Sequence, residues 1–338
     1  MTAPGQALPP SGVLGGGSMK ADEYAAFLAD EYLASYLPAG GAAVKVAVVG
    51  EGSAADRLEA ALAAATATHG GQYVTLTAES RVHMIDQIFL AVSQAIDWEG
   101  LAAASVRAAY HDADFPVPAG CGLSVAEIAR HYDIDARELY RSVRRLLERS
   151  LLGNPALVVE MGRAILRLAQ AHLGAGDVDA AERDAVLGWL RGELRSISAL
   201  RSALIYSRIG RHNARAMLAS AAALLLAAGY GGLVLHIDYG RIAEARRPPA
   251  EVRSGFYYSK AATLDAYEVL RQFIDATDEL RGVLVLAVLP PELMTDETRG
   301  LPAYSALLLR VADEVRDRRR ANPFAALVRL EVRLEAVS

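Results

Sequence analysis

Eight residues, Gly50-Glu51-Gly52-Ser53-Ala54-Ala55-Asp56-Arg57, stand where this chain could grip a phosphate. They follow an apolar run at residues 44–49 (VKVAVV) and precede an Ala/Leu-rich stretch at 54–69, so a glycine turn joins a strand to a helix. Such a helix start offers backbone N–H groups to an anion. The pattern G-x-x-x-x-G-K-[ST] adds a lysine against the phosphate charge and a hydroxyl for Mg²⁺. Aligned on Gly50, the chain has Ala55 at the second glycine, Asp56 at the lysine and Arg57 at the hydroxyl. A carboxylate at the lysine position repels a triphosphate, and loss of the hydroxyl removes a metal ligand. Moving the register by one residue offers Arg57 as the cation, but successive helical residues point about 100° apart. Taken alone, the segment reads more simply as a strand, a turn and a helix whose glycines serve only the turn.

A second candidate is Asp238, which ends the apolar run 232–238 (GLVLHID). In nucleotide hydrolases an acid at the end of such a strand holds Mg²⁺, and in many a second acid follows it and orients the attacking water. Here the next residue is Tyr239. His236 lies within the run, with no second His or Cys at metal spacing, and reads as a packed or hydrogen-bonded core residue. Cys121 is the single cysteine, which excludes an internal disulfide framework and reads as a small buried hydrophobe. The chain lacks Gly-x-Ser-x-Gly, His-Glu-x-x-His and paired-Cys spacing, so a conventional hydrolase has little support.

The elements that would hold these residues form a βαβ pattern. Strands are expected at 44–49, 73–77, 232–238 and 283–289, with a further one at 326–334. Helices are expected at 21–36, 54–69, 261–278 and 305–320, and a loop at Arg246-Arg247-Pro248-Pro249. Between the second and third strands the pattern is almost wholly helical, broken near Pro116, Gly153, Gly174 and Gly210. The expectation is an α/β fold, a parallel sheet interrupted by a large helical insertion. Its divisions are a disordered leader at 1–20, the first part of the α/β domain at 21–80, the insertion at 81–227 and the rest of the domain at 228–338. The most apolar stretch, 214–237, breaks at Gly229–Gly232, and neither piece reaches the ~20 residues a bilayer requires. With no secretory pattern at the start, a cytoplasmic protein is expected.

Several blocks together resemble the P-loop ATP-binding proteins of BREX-type phage-defence systems. They are residues 189–193 (WLRGE), 207–215 (SRIGRHNAR), 228–238 (AGYGGLVLHID), 265–275 (DAYEVLRQFID), 301–310 (LPAYSALLLR) and 320–324 (RANPF). Residues 36–45 (YLPAGGAAVK) are similar to the approach to the same family's phosphate loop, and the likeness spans about 25–335 in the family's order. The resemblance implies an AAA-like P-loop NTPase domain with ATP and Mg as cofactors, working in a multi-protein antiviral assembly. Helicases, methyltransferases or nucleases are often encoded beside it. It implies a phosphate loop at Gly50, Gly52, Ser53, Asp56 and Arg57, a Mg-side acid at Asp238, and an arginine at Arg310 able to face a neighbouring subunit's nucleotide. Three positions depart from the family pattern: the Gly-Lys-Ser/Thr of the loop, the acid after Asp238, and the polar end of the strand at Ala287–Pro290. Three losses on one pocket point to a subunit that scaffolds or regulates without hydrolysing ATP, next to an active ATPase, helicase or nuclease. The alternatives are a weakly active ATPase using Arg57 and Asp238, and a surface ion pair for Arg310. Homo- and hetero-oligomeric assembly both stay open.

Residues 123–147 have the spacing of a helix-turn-helix. Val125, Ile128 and Ala129 would pack on Ile134, Leu139 and Val143, Asp133 would make the turn, and Arg137, Tyr140, Arg141 and Arg144 would lie along the second helix. DNA contact is one reading. The other is two amphipathic helices with arginines solvated or paired to Glu138 and Glu148. A basic run at Arg316–Arg320 reads as a solvated face, with phosphate or an acidic partner as its alternative. The net charge of −5 excludes a global basic signature, so any nucleic-acid contact must be local.

Overall fold

The computed structural model describes residues 17–50, 52–77, 80–247, 249, 251, 255–312 and 321–331. They divide into two compact units, Met1–Ile88 with Gly231–Ser338, and Phe89–Tyr230.

The first unit is built on one six-stranded sheet, all of whose pairings are parallel. Its strands are β1 (Ser18–Lys20), β2 (Ala42–Val48), β3 (Gln72–Leu76), β4 (Leu233–Asp238), β5 (Val283–Leu289) and β6 (Leu327–Glu331), in the order β1-β6-β2-β5-β4-β3. Parallel strands covered on both faces read as unbroken apolar runs rather than alternating ones. β5 (VLVLAVL) is such a run, with every residue buried. One face carries α1 (Ala21–Leu28), its π-helical continuation Ala29–Tyr36, and α2 (Ser53–Thr68). Leu28, Leu58 and Leu62 pack there on Ala47, Val234 and Leu286. The chain leaves β2 toward β3 across β5 and β4, and leaves β5 toward β6 across β2 in the opposite direction. Right-handed connections then lie on opposite faces, so α10 (Lys260–Asp275) and α11 (Ser305–Val311) belong to the face away from α2. The reversal makes the carboxyl ends of β2 and β5 the topological switch point, where open α/β sheets place their ligands.

β1 departs from the sequence reading, which put residues 18–20 in a disordered leader. Ser18, Met19 and Lys20 pair with Arg329, Leu330 and Glu331. Three residues are too few to show a period, and the partner strand lies at the other end of the chain. Residues 1–16 lie outside the described residues. So do Glu51, Pro248, residues 313–320 with the Arg316–Arg320 run, and residues 332–334 of the last expected strand.

The second unit is helical. After α3 (Ile85–Ala95) come α4 (Trp98–Asp112), α5 (Val125–Tyr132), α6 (Ala136–Leu152), α7 (Val159–Leu173), α8 (Ala180–Leu190) and α9 (Ala214–Ala227). Their starts follow the capping residues. Asp97, Ser124, Asp135 and Asp179 each accept a backbone N–H of the first turn of α4, α5, α6 and α8. α4 packs on α6 and α7, with Trp98 and Tyr110 fully buried.

Candidate functional site

A cavity of about 490 Å³ opens at the switch point of the first unit. Val49, Gly50 and Gly52 line it from the turn after β2, and Ala55, Asp56 and Glu59 from α2. His236 and Asp238 enter from β4, Arg241 and Glu244 from the short helical turn beyond it, and Val288 and Pro290 from the end of β5.

The turn into α2 is tight. β2 ends at Val48 and α2 begins at Ser53, so four residues make the connection. Gly52 has φ 104° and ψ −151°, a conformation almost confined to glycine. The N–H groups of Ala55 and Asp56 already bond to the Gly52 carbonyl, at 3.1 and 3.5 Å. Ala55, Asp56 and Arg57 therefore sit in the first turns of α2. Asp56 is exposed toward the cavity. Glu59, nearly one turn further along, also lines it and accepts a hydrogen bond from Thr75 Oγ1 at 2.9 Å. Arg57 is not brought to the cavity. It lies round the helix from Asp56, and its Nε is buried without a hydrogen-bond partner.

At the end of β4, Asp238 closes its own turn, its Oδ1 accepting the Gly240 N–H at 2.7 Å. Tyr239 is fully buried and does not line the cavity. Its ring stacks on Tyr267 with centroids 6.4 Å apart, its hydroxyl reaches the Ala266 carbonyl at 3.4 Å, and burial pushes its phenol well above the ordinary range. His236 is the hydrogen-bonded core residue its context suggested. It is 4 % exposed, and its Nδ1 lies 2.6 Å from the Tyr73 hydroxyl. Burial lowers its pKa while Glu59 and Asp238 pull the other way, and the net direction is down, toward the neutral ring.

Three arginines of this unit are engaged. Arg241 pairs with Glu244 at 3.7 Å. Arg299, 7 % exposed, donates its Nε to the Ile242 carbonyl at 2.8 Å and so pins the turn that carries Arg241 and Glu244. Arg310 forks onto Asp275 of α10 and donates to the Ala306 carbonyl at 2.8 Å. That is the surface ion pair weighed against a role toward a neighbouring subunit.

In the second unit, α5 and α6 form a helix pair across a three-residue turn. Asp133 is left-handed (φ 53°, ψ 50°), and the Ile134 N–H returns to the Ala129 carbonyl at 3.0 Å. Val125, Ile128 and Ala129 are buried, as are Leu139, Val143 and Leu147, while Ile134 is only half-buried. Arg137 and Arg141 are exposed. Arg144 pairs with Glu148 at 2.8 Å and with Asp177 at 3.8 Å. Tyr140 is turned inward, its hydroxyl buried.

A family model described as BREX system ATP-binding protein BrxC/D matches residues 124–336. The chain belongs to this family. The match opens at Ser124, the residue that caps α5, takes in Asp238 and Arg310, and leaves residues 50–57 outside. No curated protein and no solved structure matches. In this BrxC/D-family chain the sequence reading missed Glu59, Arg241 and Glu244 as cavity residues. Glu59 had a signal, since a residue three places after Asp56 shares its side of a helix. Arg241 and Glu244 had none, because they reach the cavity through a short turn without a period. Among the described residues, no group of three or more His, Cys, Asp or Glu is placed to hold a metal ion, and no helix is long and apolar enough to cross a membrane.

Proposed function

We propose that this BrxC/D-family chain is an AAA-like P-loop NTPase-fold subunit that does not hydrolyse ATP. It scaffolds or regulates a multi-protein antiphage assembly in the cytoplasm, beside an active ATPase, helicase or nuclease subunit. The observation that carries this reading is the placement of Asp56 on the cavity side of α2, together with Glu59, Asp238 and Glu244, against the single guanidinium of Arg241 among the lining residues. That guanidinium is already paired.

A carboxylate about 5 Å from a phosphate charge costs roughly 1–3 kcal/mol between exposed and half-buried conditions. A millimolar ligand has only about 4 kcal/mol of binding free energy, so two such carboxylates consume most of it. The residues present do not fit Mg-ATP. Asp238 accepts a bond from its own turn, Arg57 lies off the cavity, and Tyr239 faces the core where a water-orienting acid would be required. The strand order supports the fold reading, because it places the turn after β2 and the end of β4 on either side of β5 at one switch point.

The test is a thermal-shift titration of the full chain with Mg-ATP, paired with a phosphate-release assay. No rise in Tm and no turnover are expected at about 1 mM nucleotide. A ligand at about a hundred times its Kd adds roughly 2.7 kcal/mol, which would raise Tm by several degrees. Such a rise with turnover that Asp238→Ala abolishes would overturn the reading.

A further inference from the structure

We infer that α6 is a docking surface for duplex DNA, through a row of arginines that no ion pair among the described residues neutralises. Arg137, Arg141, Arg145 and Arg149 follow one another at intervals of four residues, and all four are exposed. Successive members are one turn apart, about 6 Å along the axis, so the row spans roughly 18 Å. None has an ion-pair partner among the described residues. Arg144, on the flank of the row, shows what a satisfied arginine on this helix looks like, held by Glu148 and Asp177. Like charges at this spacing repel by a few tenths of a kcal/mol per pair, a cost that an anionic partner relieves.

The fold presents the row outward. Leu139, Val143, Leu147 and Leu151 form the buried stripe of α6, and the arginines lie round the helix from it. α5 crosses behind, locked by Val125, Ile128 and Ala129 and by the left-handed Asp133. A short first helix, a tight turn and a longer second helix with its outer face unpaired is the arrangement that lays the second helix in a major groove about 12 Å wide. Acids gather at the N-terminal end, with Asp133, Asp135 and Glu138 all exposed. Asp135 is occupied in capping the helix. The principal phosphate contacts therefore fall on Arg141, Arg145 and Arg149. A regular line of point charges suits the phosphate rows of a duplex better than an acidic protein surface, whose carboxylates have no fixed period. This inference does not depend on the nucleotide cavity, which lies in the other unit.

The experiment is fluorescence anisotropy of the full chain with a mixed-sequence DNA duplex of about three helical turns. About three or four phosphate contacts give a slope of log affinity against log salt near −3, and roughly a hundredfold loss between about 50 and about 200 mM salt. Replacing Arg141, Arg145 and Arg149 together by Gln is expected to cost at least about tenfold at the lower salt and to flatten the slope to about −1. The triple Lys variant keeps the charges and is expected to stay within about threefold of the native chain. Unchanged helix content by circular dichroism confirms that these exposed changes leave the fold intact. The inference is overturned by no binding of the native chain at the lower salt or by affinity that ignores salt. Retention of native affinity by the Gln triple overturns it too, as does poly-glutamate binding as tightly as the duplex.

Discussion

The nucleotide-type cavity and the outer face of α6 are opposites in charge and in how that charge is held. At the cavity, Asp56, Glu59, Asp238 and Glu244 confront one paired arginine, and Arg299 and Arg310 of the same unit are tied to carbonyls or to Asp275. On α6, four arginines stand exposed without ion-pair partners among the described residues, at regular spacing. Phosphate follows accessible positive charge rather than the fold that houses a site, so under the two proposals above polyanion contact falls to the helical unit and a mainly structural part to the switch point.

The harshest way to break that contrast is to put a new acid in each region. Tyr239→Glu restores an acid after Asp238, but buries it beneath α10 and removes the stack on Tyr267. It is expected to cost more than about 3 kcal/mol in urea unfolding without creating ATP turnover. Arg145→Glu on the exposed row should stay within about 0.5 kcal/mol of native stability. Equal losses at the two sites would erase the distinction.

A buried cation tests the sheet unit next. Lys45 is 4 % exposed, with Nζ donating to the Phe324 and Ala325 carbonyls at 2.7 and 3.1 Å. Burial lowers its pKa from 10.5 to about 8. The folded state then releases a proton that the unfolded chain keeps, so this residue makes stability rise as pH goes from about 8 to 10.5. The rise is bounded by about 3 kcal/mol, and Lys45→Met should remove it from the pH dependence of urea midpoints.

Reversing the central acid sharpens the comparison further. Asp56→Lys is expected to improve Mg-ATP affinity by about tenfold in thermal-shift titrations, the equivalent of about 1.4 kcal/mol, with no hydrolysis. DNA affinity should stay unchanged, since α6 is untouched. The smallest effect is at Glu268, whose carboxyl the Arg271 guanidinium holds down to about 2, from 4.5. Its contribution is complete above pH 4.5 and fades as pH falls toward 2. Because the pair is partly exposed, Glu268→Gln should cost less than about 1 kcal/mol at neutral pH and nothing near pH 2.

Much of the sheet unit was legible because its strands are buried on both faces. The run VLVLAVL could be little else, and β5 occupies the expected residues 283–289. The α5–α6 pair was equally legible, since Val125, Ile128, Leu139 and Val143 keep helical spacing on either side of an Asp that tolerates the left-handed turn. β1 was not, because strand pairing is decided by a partner remote in the chain. The four-residue turn into α2 was legible to within one residue, expected at 50–53 and found at 49–52.

Residue identity alone established that an acid replaces the expected lysine, that a tyrosine follows Asp238, and that arginines recur every fourth residue from Arg137 to Arg149. Those are facts of composition and spacing, and local periodicity converts them into helix faces and strand ends. Tertiary structure alone decided which charges are spent. It seated Asp56 with Glu59, Asp238 and Glu244, turned Tyr239 into the core, fastened Arg310 to Asp275, and left the α6 row without ion pairs among the described residues. The reason is that charge pairing and burial depend on distances between residues far apart in sequence, which only the packed chain sets.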